Sequence, residues 1–442
     1  MNATILKAIE NVAKKIRKLT SCVTSKFRPP LSTNPSPEEI TNFQRNALRQ
    51  ILEKASKTSF YSKKFRTLGT NLQEVYDIKN LENLLVTGDD LRLHRASMRN
   101  PSAFFYFVQP TSGTGGRPLE VDVTLKQMIN VYPIEERTFR LLGMHPKDSL
   151  LFILHRGAPS YYMALASLPL TSHNMDIADY KDLNEQIAKM RGKDIVVGYP
   201  TPLLRLAQHP KIQEIAKDVR LVIYGGEPLS KEGRKILEES FDAEVRSYYG
   251  SVEVFGPIGW TCSEGRFHMV SDYVLLQQDE NNNAIITCLD KDRGTILIRY
   301  AGLKDKVWIY DDKCPCGSNF PSFELKGSFR HLDGLRIADA IYNSDAFKNR
   351  IIGPYFDFTM GIDPERGKRV VKIKLEKLKE EANDDRIAFE LTNIIIHGSG
   401  ELPPSKPLQG LEGMLEFEFE FVSPKQVDKM KAGGLRRGFD VN

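Results

Sequence analysis

The sequence predicts an α/β fold, with a large N-terminal domain of mixed sheets and helices followed by a small α+β C-terminal domain. Three observations carry this. The 442 residues exceed what one hydrophobic core holds. Between about residues 149 and 241, compact β-rich runs alternate with helical stretches, the pattern of a largely parallel sheet covered by helices. After about 265 strands follow strands, and beyond about 330 a separate strand–helix piece closes the chain.

Taken in order, "MNATILKAIENVAKKIRKLTSCVTSKFRPP" opens the chain, with Ile5, Ile9, Val12 and Ile16 spaced three or four apart among lysines. This reads as an amphipathic helix, and residues 1–36 as that helix and a linker. A basic helix suits a membrane surface, but packing onto its own domain is the expectation. It has no apolar stretch of signal-peptide length, and no later window is long and apolar enough to span a bilayer. Helical periodicity covers 38–56. "SLLFILH" (149–155), "DIVVGYP" (194–200) and "VRLVIYGGEP" (219–228) read as strands, with helices at "TPLLRLAQH" (201–209) and "SKEGRKILEESF" (230–241). In such sheets ligands sit beyond the strand ends, so the following loops carry the chemistry.

From 265 the expected strands are "FHMVSDYVLLQQ", "NAIITCL", "GTILIRYAG" and "KVWIYDD". The last piece has strands at 355–362, 369–378 and 415–422 and a helix at 384–396; the alternation in "LEFEFEFV" marks a strand with one wet face. The expected division is 37–328 for the large domain, with a strand-rich subdomain at about 260–325, and 329–442 for a small mobile domain.

Composition narrows the function classes. Apolar residues make up 41% and charged residues 27%, ordinary for a globular protein. The net charge of +5 arises from 62 basic against 57 acidic side chains. Only short basic groups occur, at 14–18 and 436–437, so nucleic acid is not an expected partner. Five cysteines are too few for a disulfide scaffold, which points to the cytoplasm. Small molecules are the expected partners, and a homodimer is the oligomer allowed for.

Three loops carry candidate chemistry. In "TSGTGGRP" (111–118), Gly113, Gly115 and Gly116 allow a tight turn that offers amide N–H groups to phosphate. Thr111, Ser112 and Thr114 add hydroxyls, and Arg117 can fork onto phosphate. A plain turn is the rival reading. In "YGGEPLS" (224–230), Gly225 and Gly226 follow a strand without a Cβ, and Pro228 fixes the turn. Glu227 reads equally well as a helix-start carboxylate. In "YYGSVEVFGP" (248–257), Tyr248 and Tyr249 precede Gly250 and Ser251, and Tyr249 offers a flat face to a purine or packs in the core. Glu253 is suited to Mg²⁺, which takes one or two carboxylates beside phosphate oxygens. Separately, "CPCG" supplies Cys314 and Cys316, while "TCSEGRFHMVSD" supplies Cys262 and His268. Together they suit a closed, structural Cys₃His zinc site; unrelated buried thiols are the alternative.

These motifs resemble those of the adenylate-forming enzymes, within them the phenylacetate–CoA ligase-like branch. "TSGTGGRP" resembles that superfamily's ATP loop, "YGGEPLS" its adenine-lining stretch, and "YYGSVEVFGP" its Y-G-x-T-E motif. Weaker echoes are "TSFYSKKF", "VTGDDLR" and "VVGYPTPLLRLA". The resemblance implies activation of a carboxylic acid by ATP to an acyl-adenylate, then transfer to coenzyme A with release of AMP and pyrophosphate. It implies Mg²⁺ on Glu253, a phosphate contact at Ser251, and a ribose contact at Asp305, whose spacing has slipped so that an exposed turn aspartate is the rival. It also raises the zinc reading. Departures are visible. Val252 replaces the motif threonine, Leu435 falls where the C-terminal lysine belongs, and Lys431, Arg436 and Arg437 are the nearby cations. The hinge motif survives as Gly327, Arg330 and Asp333 at altered spacing, and His155, Tyr161 and Tyr162 are candidate acyl-pocket residues. Two further readings follow: transfer to an amine or hydroxyl acceptor, and a nucleotide-binding protein with weakened catalysis.

Overall fold

The computed structural model describes residues 31–70, 75, 77–103, 106–110, 119–154, 175–227, 229–303, 305–328, 332–362, 369–397, 415–424 and 426. The amphipathic opening segment and Cys22 lie outside the described residues. Two helices come first, α1 (Pro37–Ser56) and α2 (Ser59–Thr67). Ser36 and Glu39 form a reciprocal capping box at the start of α1, satisfying two donors that a helix start leaves open. Tyr61 of α2 reaches across the chain, donating to the Ile296 carbonyl at 3.0 Å and accepting from the Ile298 N–H at 3.1 Å.

The short helix α3 (Gly88–His94) leads to a hairpin of β1 (Tyr106–Pro110) and β2 (Glu120–Thr124), then α4 (Leu125–Leu141). The α/β region follows as β3 (Leu150–Leu154), β4 (Met175–Asp179), α5 (Leu183–Met190), β5 (Ile195–Gly198), α6 (Pro200–Ala207), β6 (Leu221–Gly225), α7 (Lys231–Phe241) and β7 (Glu244–Ser251). Next come β8 (Gly256–Thr261), β9 (Phe267–Met269), β10 (Val274–Gln278), β11 (Ala284–Cys288), β12 (Asp305–Ile309) and β13 (Ser322–Ser328). The C-terminal piece holds α8 (Leu332–Asn343), β14 (Ile352–Ile362), β15 (Arg369–Lys377), α9 (Asp384–His397) and β16 (Leu415–Val422).

Among the described residues nine strands form one sheet in the order β12-β13-β9-β8-β7-β6-β5-β3-β4. The run β4-β3-β5-β6-β7 is parallel, and β8, β9, β13 and β12 continue it antiparallel. The fully buried run Leu150–Leu154 of β3 is what a strand covered on both faces requires. This is the expected α/β fold: the strands at 149–155, 194–200 and 219–228 and the helices at 201–209 and 230–241 are present as β3, β5, β6, α6 and α7, while β4 and α5 are not anticipated from the sequence.

One expected strand is absent. "GTILIRYAG" makes only isolated bridges, Arg99↔Thr295, Val86↔Tyr300 and Ile286↔Tyr300. Its backbone partners come from four directions: Ile296 donates to Met98, Thr295 to Asp122, Cys288 to Leu297 and Ala301 to Val86. Arg299 at φ +49° breaks the extended path. Ile296, Leu297, Ile298 and Tyr300 are all buried, so the apolar run marks a core thread between segments.

The C-terminal sheet β14-β15-β16 pairs antiparallel, then parallel. In β16, Phe417, Phe419 and Phe421 pack against a core while Glu418 and Glu420 pair with Lys372 and Lys374 of β15. That core also holds Leu203 and Leu204 of α6, Leu237 and Phe241 of α7, and Ile341 and Phe356 of the C-terminal piece. The two parts of the chain therefore share apolar packing. No helix among the described residues is long and apolar enough to cross a membrane.

Candidate functional site

Two of the three chemistry-bearing loops lie at the C-terminal ends of the adjacent parallel strands β6 and β7. Gly225 at the end of β6 pairs with Tyr248 on β7, so the second and third motifs are neighbours. The approach is close enough to demand glycine: a Cβ on Gly225 would lie 2.7 Å from the Tyr248 carbonyl oxygen. Gly226 adopts φ +77° with Tyr199 packed over it, a conformation that costs other residues about 1–2 kcal/mol.

Glu227 is a helix-start carboxylate, but of a neighbouring helix. It accepts from the Thr201 hydroxyl at 2.9 Å and backbone N–H at 3.3 Å, at the first turn of α6, whose N-cap Tyr199 offers no side-chain bond. The start of α7 is capped instead by Ser230. Burial pushes the Glu227 carboxyl up to about 7, and the two Thr201 bonds oppose it. Pro228 lies outside the described residues.

On β7 the two tyrosines point to opposite faces, as strand geometry requires. Tyr249 packs among Phe267 and Phe323 and donates to Asp305 at 2.6 Å. The exposed-turn reading of Asp305 fails, because the residue opens β12 and burial pushes its carboxyl up to about 6, opposed by the Tyr249 bond. Tyr248 stacks on Phe139 at 5.6 Å, and its hydroxyl donates to Glu135 at 2.7 Å. A Cβ on Gly250 would lie 2.8 Å from the Tyr248 ring and 2.9 Å from the Gly256 carbonyl oxygen, so this position demands glycine.

Ser251 caps the turn that follows, accepting from Val254 N–H at 3.2 Å. Phe255 within that turn sits at φ +56°, a strained position for a bulky residue. Burial raises the Glu253 carboxyl above the usual range; Asp305 nearby adds to this and the Ser251 hydroxyl opposes it. Arg293 does not neutralise it, since that guanidinium donates to the Glu253 carbonyl at 2.8 Å. Two carboxylates thus face one poorly solvated region, a donor set that fits a divalent cation.

The first loop joins the β1–β2 hairpin, whose last pair is Pro110↔Glu120. Thr111, Ser112, Gly113, Thr114, Gly115 and Arg117 lie outside the described residues, as do Arg330, Lys431, His155, Tyr161 and Tyr162. The hairpin itself is well fixed. Asp122 is fully buried and holds Arg95 and Arg99, the latter at 2.9 Å, and its backbone N–H donates to Thr295 Oγ1 at 2.7 Å. Phe107 of β1 packs edge-on against Phe255. A Cβ on Gly88 would touch both Leu119 and Gly302. Strand β1, which leads into the glycine-rich loop, therefore packs beside the turn that carries Glu253. Glu135 and Asp122 carried no signal in the sequence, being single acids inside a helical and a strand pattern.

A second cluster lies at the far side of the sheet. The ligand atoms of Cys262, His268, Cys314 and Cys316 all fall within 4.8 Å of one another. Cys262 and Cys314 sulfurs are 3.7 Å apart, too far for a disulfide, and Cys316 Sγ is 3.3 Å from His268 Nε2. The Nδ1 of His268 sits 2.8 Å from the Phe320 carbonyl, which aims Nε2 at the cluster. Gly317 at φ +82° turns the "CPCG" knuckle, and Ser318 N–H points at Cys316 Sγ. Burial, with the neighbouring thiols, pushes the Cys262 thiol up to about 12, so a bound cation is what would ionise it. Three sulfurs and one imidazole fit tetrahedral zinc. Cys288 is fully buried in the core, as expected.

This chain has a fold similar to that of solved CoA ligases that act through an acyl-AMP. No protein-family model matches it. Among curated proteins, the phenylacetate-coenzyme A ligase of Escherichia coli (strain K12) is 23% identical over 256 residues, covering 55% of this chain and 58% of that protein. The match thus spans little more than half of that relative. Among solved structures, a 2-hydroxyisobutyryl-CoA ligase with 2-HIB-AMP and CoA in the thioesterification state has TM-score 0.58 at 15% identity, over 92% of this chain and 93% of that one. The same ligase in an open conformation has TM-score 0.58 at 16% identity, over 73% and 86%. An acyl acid amido synthetase (GH3.15) has TM-score 0.58 at 13% identity, over 90% and 91%.

Proposed function

We propose that this protein is an AMP-forming acid–CoA ligase of the phenylacetate–CoA ligase-like kind. The observation that carries the reading is the gathering of the Gly225–Glu227 turn, the Tyr248–Glu253 segment and Asp305 at one edge of the parallel strands. Phe107, on the strand that leads into the glycine-rich loop, packs against Phe255 beside this segment, which supports bringing that loop to the same nucleotide. In this reading the bare backbone of Gly225 and Gly226 admits the adenine, and Thr111, Ser112, Thr114 and Arg117 grip the phosphates. Ser251 contacts the α-phosphate in place of the missing threonine, and Asp305 meets the ribose. Glu253 holds magnesium, which when bound offsets charge on the phosphates. The acid's carboxylate attacks the α-phosphorus, pyrophosphate leaves, and the CoA thiol then displaces AMP. This is positioning and charge stabilisation more than acid–base work. Lys431 is the C-terminal cation assigned to the first step, and Arg330 lies in the hinge that reorients residues 329–442. The four-residue sulfur–imidazole cluster is assigned a structural zinc, since with four protein ligands it keeps no open position.

The broad overlay with the acyl acid amido synthetase supports a second reading, in which an amine replaces CoA. ATP–pyrophosphate exchange across a panel of carboxylic acids tests the common first step. Acid-dependent exchange that falls at least 100-fold in Arg117→Ala and Glu253→Gln is the expected outcome. Exchange untouched by both substitutions would reject the site. Adding CoA or an amine to the adenylate-forming mixture then separates the two acceptors by product mass.

A further inference from the structure

Glu135 is a buried carboxyl that the reaction above leaves unused. It stands on α4, about 5% exposed, beside the aromatic layer of Phe139, Phe152 and Tyr248. One oxygen accepts from the Tyr248 hydroxyl, and the other is buried without any hydrogen-bond partner. Among the described residues no cation offsets it: burial drives its titration upward and the Tyr248 bond alone opposes. A buried carboxyl left half satisfied is costly, and a ligand bringing N–H donors and a positive charge would remove that cost.

Its place in the site says which ligand. The faces of β7 are divided: Tyr249 turns toward Asp305, where the reading above puts nucleotide and metal. Tyr248 turns toward α4, and its ring lies against Gly250, next to the Ser251 assigned to the α-phosphate. The attacking acid must reach that phosphate from the side the nucleotide leaves free, so its tail extends along the Tyr248 face toward Glu135. We propose that Glu135 is a specificity-determining residue that receives the ammonium group of an amino-substituted carboxylic acid. This rests on the ligase reading.

The test is pyrophosphate exchange with matched pairs, each an ω-amino acid from glycine to 6-aminohexanoate and 4-(aminomethyl)benzoate against its unsubstituted counterpart. The wild-type protein should prefer the amino member of at least one pair by tenfold or more in kcat/KM. In Glu135→Gln that ratio should collapse toward one, because the amide keeps an acceptor for Tyr248 but carries no charge. A fold defect would lower both members together and leave the ratio standing, which would overturn the inference. Equal exchange with both members of every pair in the wild type keeps the ligase reading and overturns the role of Glu135. Exchange with no acid at all overturns the ligase reading and the inference with it.

Discussion

Substituting Glu135 by glutamine should stabilise the protein by an amount that grows as pH rises from 6 to 9. Burial raises this carboxyl from 4.5 to about 8, so the folded chain keeps a proton that the unfolded chain has lost over that whole window. Stability therefore falls as pH rises through it, since the native state binds more protons. The shift of about 3.5 units corresponds to roughly 5 kcal/mol at about 1.4 kcal/mol per unit. Between pH 6 and pH 9 about 3 kcal/mol of that is lost, because the dependence ends near pH 8. Glutamine keeps the carbonyl that accepts from Tyr248 and has nothing to ionise. Urea denaturation of both proteins at pH 6 and pH 9 reads the difference directly, and every group common to the two cancels. The gain of the variant should grow by about 3 kcal/mol across the interval. Parallel pH profiles would refute the uncompensated burial from which the figure is worked.

Purified protein should carry about one equivalent of zinc by metal analysis, and Cys314→Ser should lose both metal and stability, since structural zinc contributes roughly 10 kcal/mol or more to folding in small domains; metal-free protein of undiminished stability would remove the assignment. Gly225→Ala should cost about 1–3 kcal/mol in denaturation and raise KM for ATP, because its Cβ would meet a backbone oxygen at 2.7 Å that cannot rotate away; a neutral substitution contradicts the close approach. Tyr249→Phe should cost about 1–2 kcal/mol by stripping Asp305 of its donor. A cycle with Asp305→Ala should then show coupling of at least about 0.5 kcal/mol, and additive effects would argue against the bond.

Much of this arrangement was legible because local chemistry and tertiary role coincide. The paired glycines after "VRLVIY" mark a strand end of bare backbone, read as room for adenine; in the structure the Tyr248 carbonyl lies beside Gly225 and the Tyr199 ring beside Gly226. The spacing of "LEFEFEFV" matched β16 from Leu415 to Val422. What failed was the run "GTILIRYAG", where apolar β-branched content reads as a ladder strand. Its hydrogen bonds instead go to Met98, Asp122 and Val86, partners no local pattern names. The Asp305 reading was open for a related reason: its burial depends on Tyr249, far away in sequence. Glu135 was invisible, because a glutamate in "PIEERTF" looks like any solvated helix face until Tyr248 is laid over it.

The C-terminal piece sharpens what a swinging domain would involve here. Gln208 donates to the Phe347 and Ile352 carbonyls, and Arg205 pairs with the fully buried Glu376. Tyr342 of α8 lies 3.2 Å from where a Cβ on Gly233 of α7 would be. Ile341 and Phe356 share a core with Leu203 and Leu237, and each such buried side chain is worth about 1.5–3 kcal/mol. Undocking would expose that apolar surface and leave Glu376 a buried charge without its partner, a loss worth about 3–5 kcal/mol where burial persists. A rigid swing that abandons α6 and α7 is therefore expensive. A motion confined to the sheet β14-β15-β16 would spare the packing of α8 on α7 but would still break the Arg205–Glu376 pair and the Gln208–Ile352 bond, so either motion must offset the loss of these contacts.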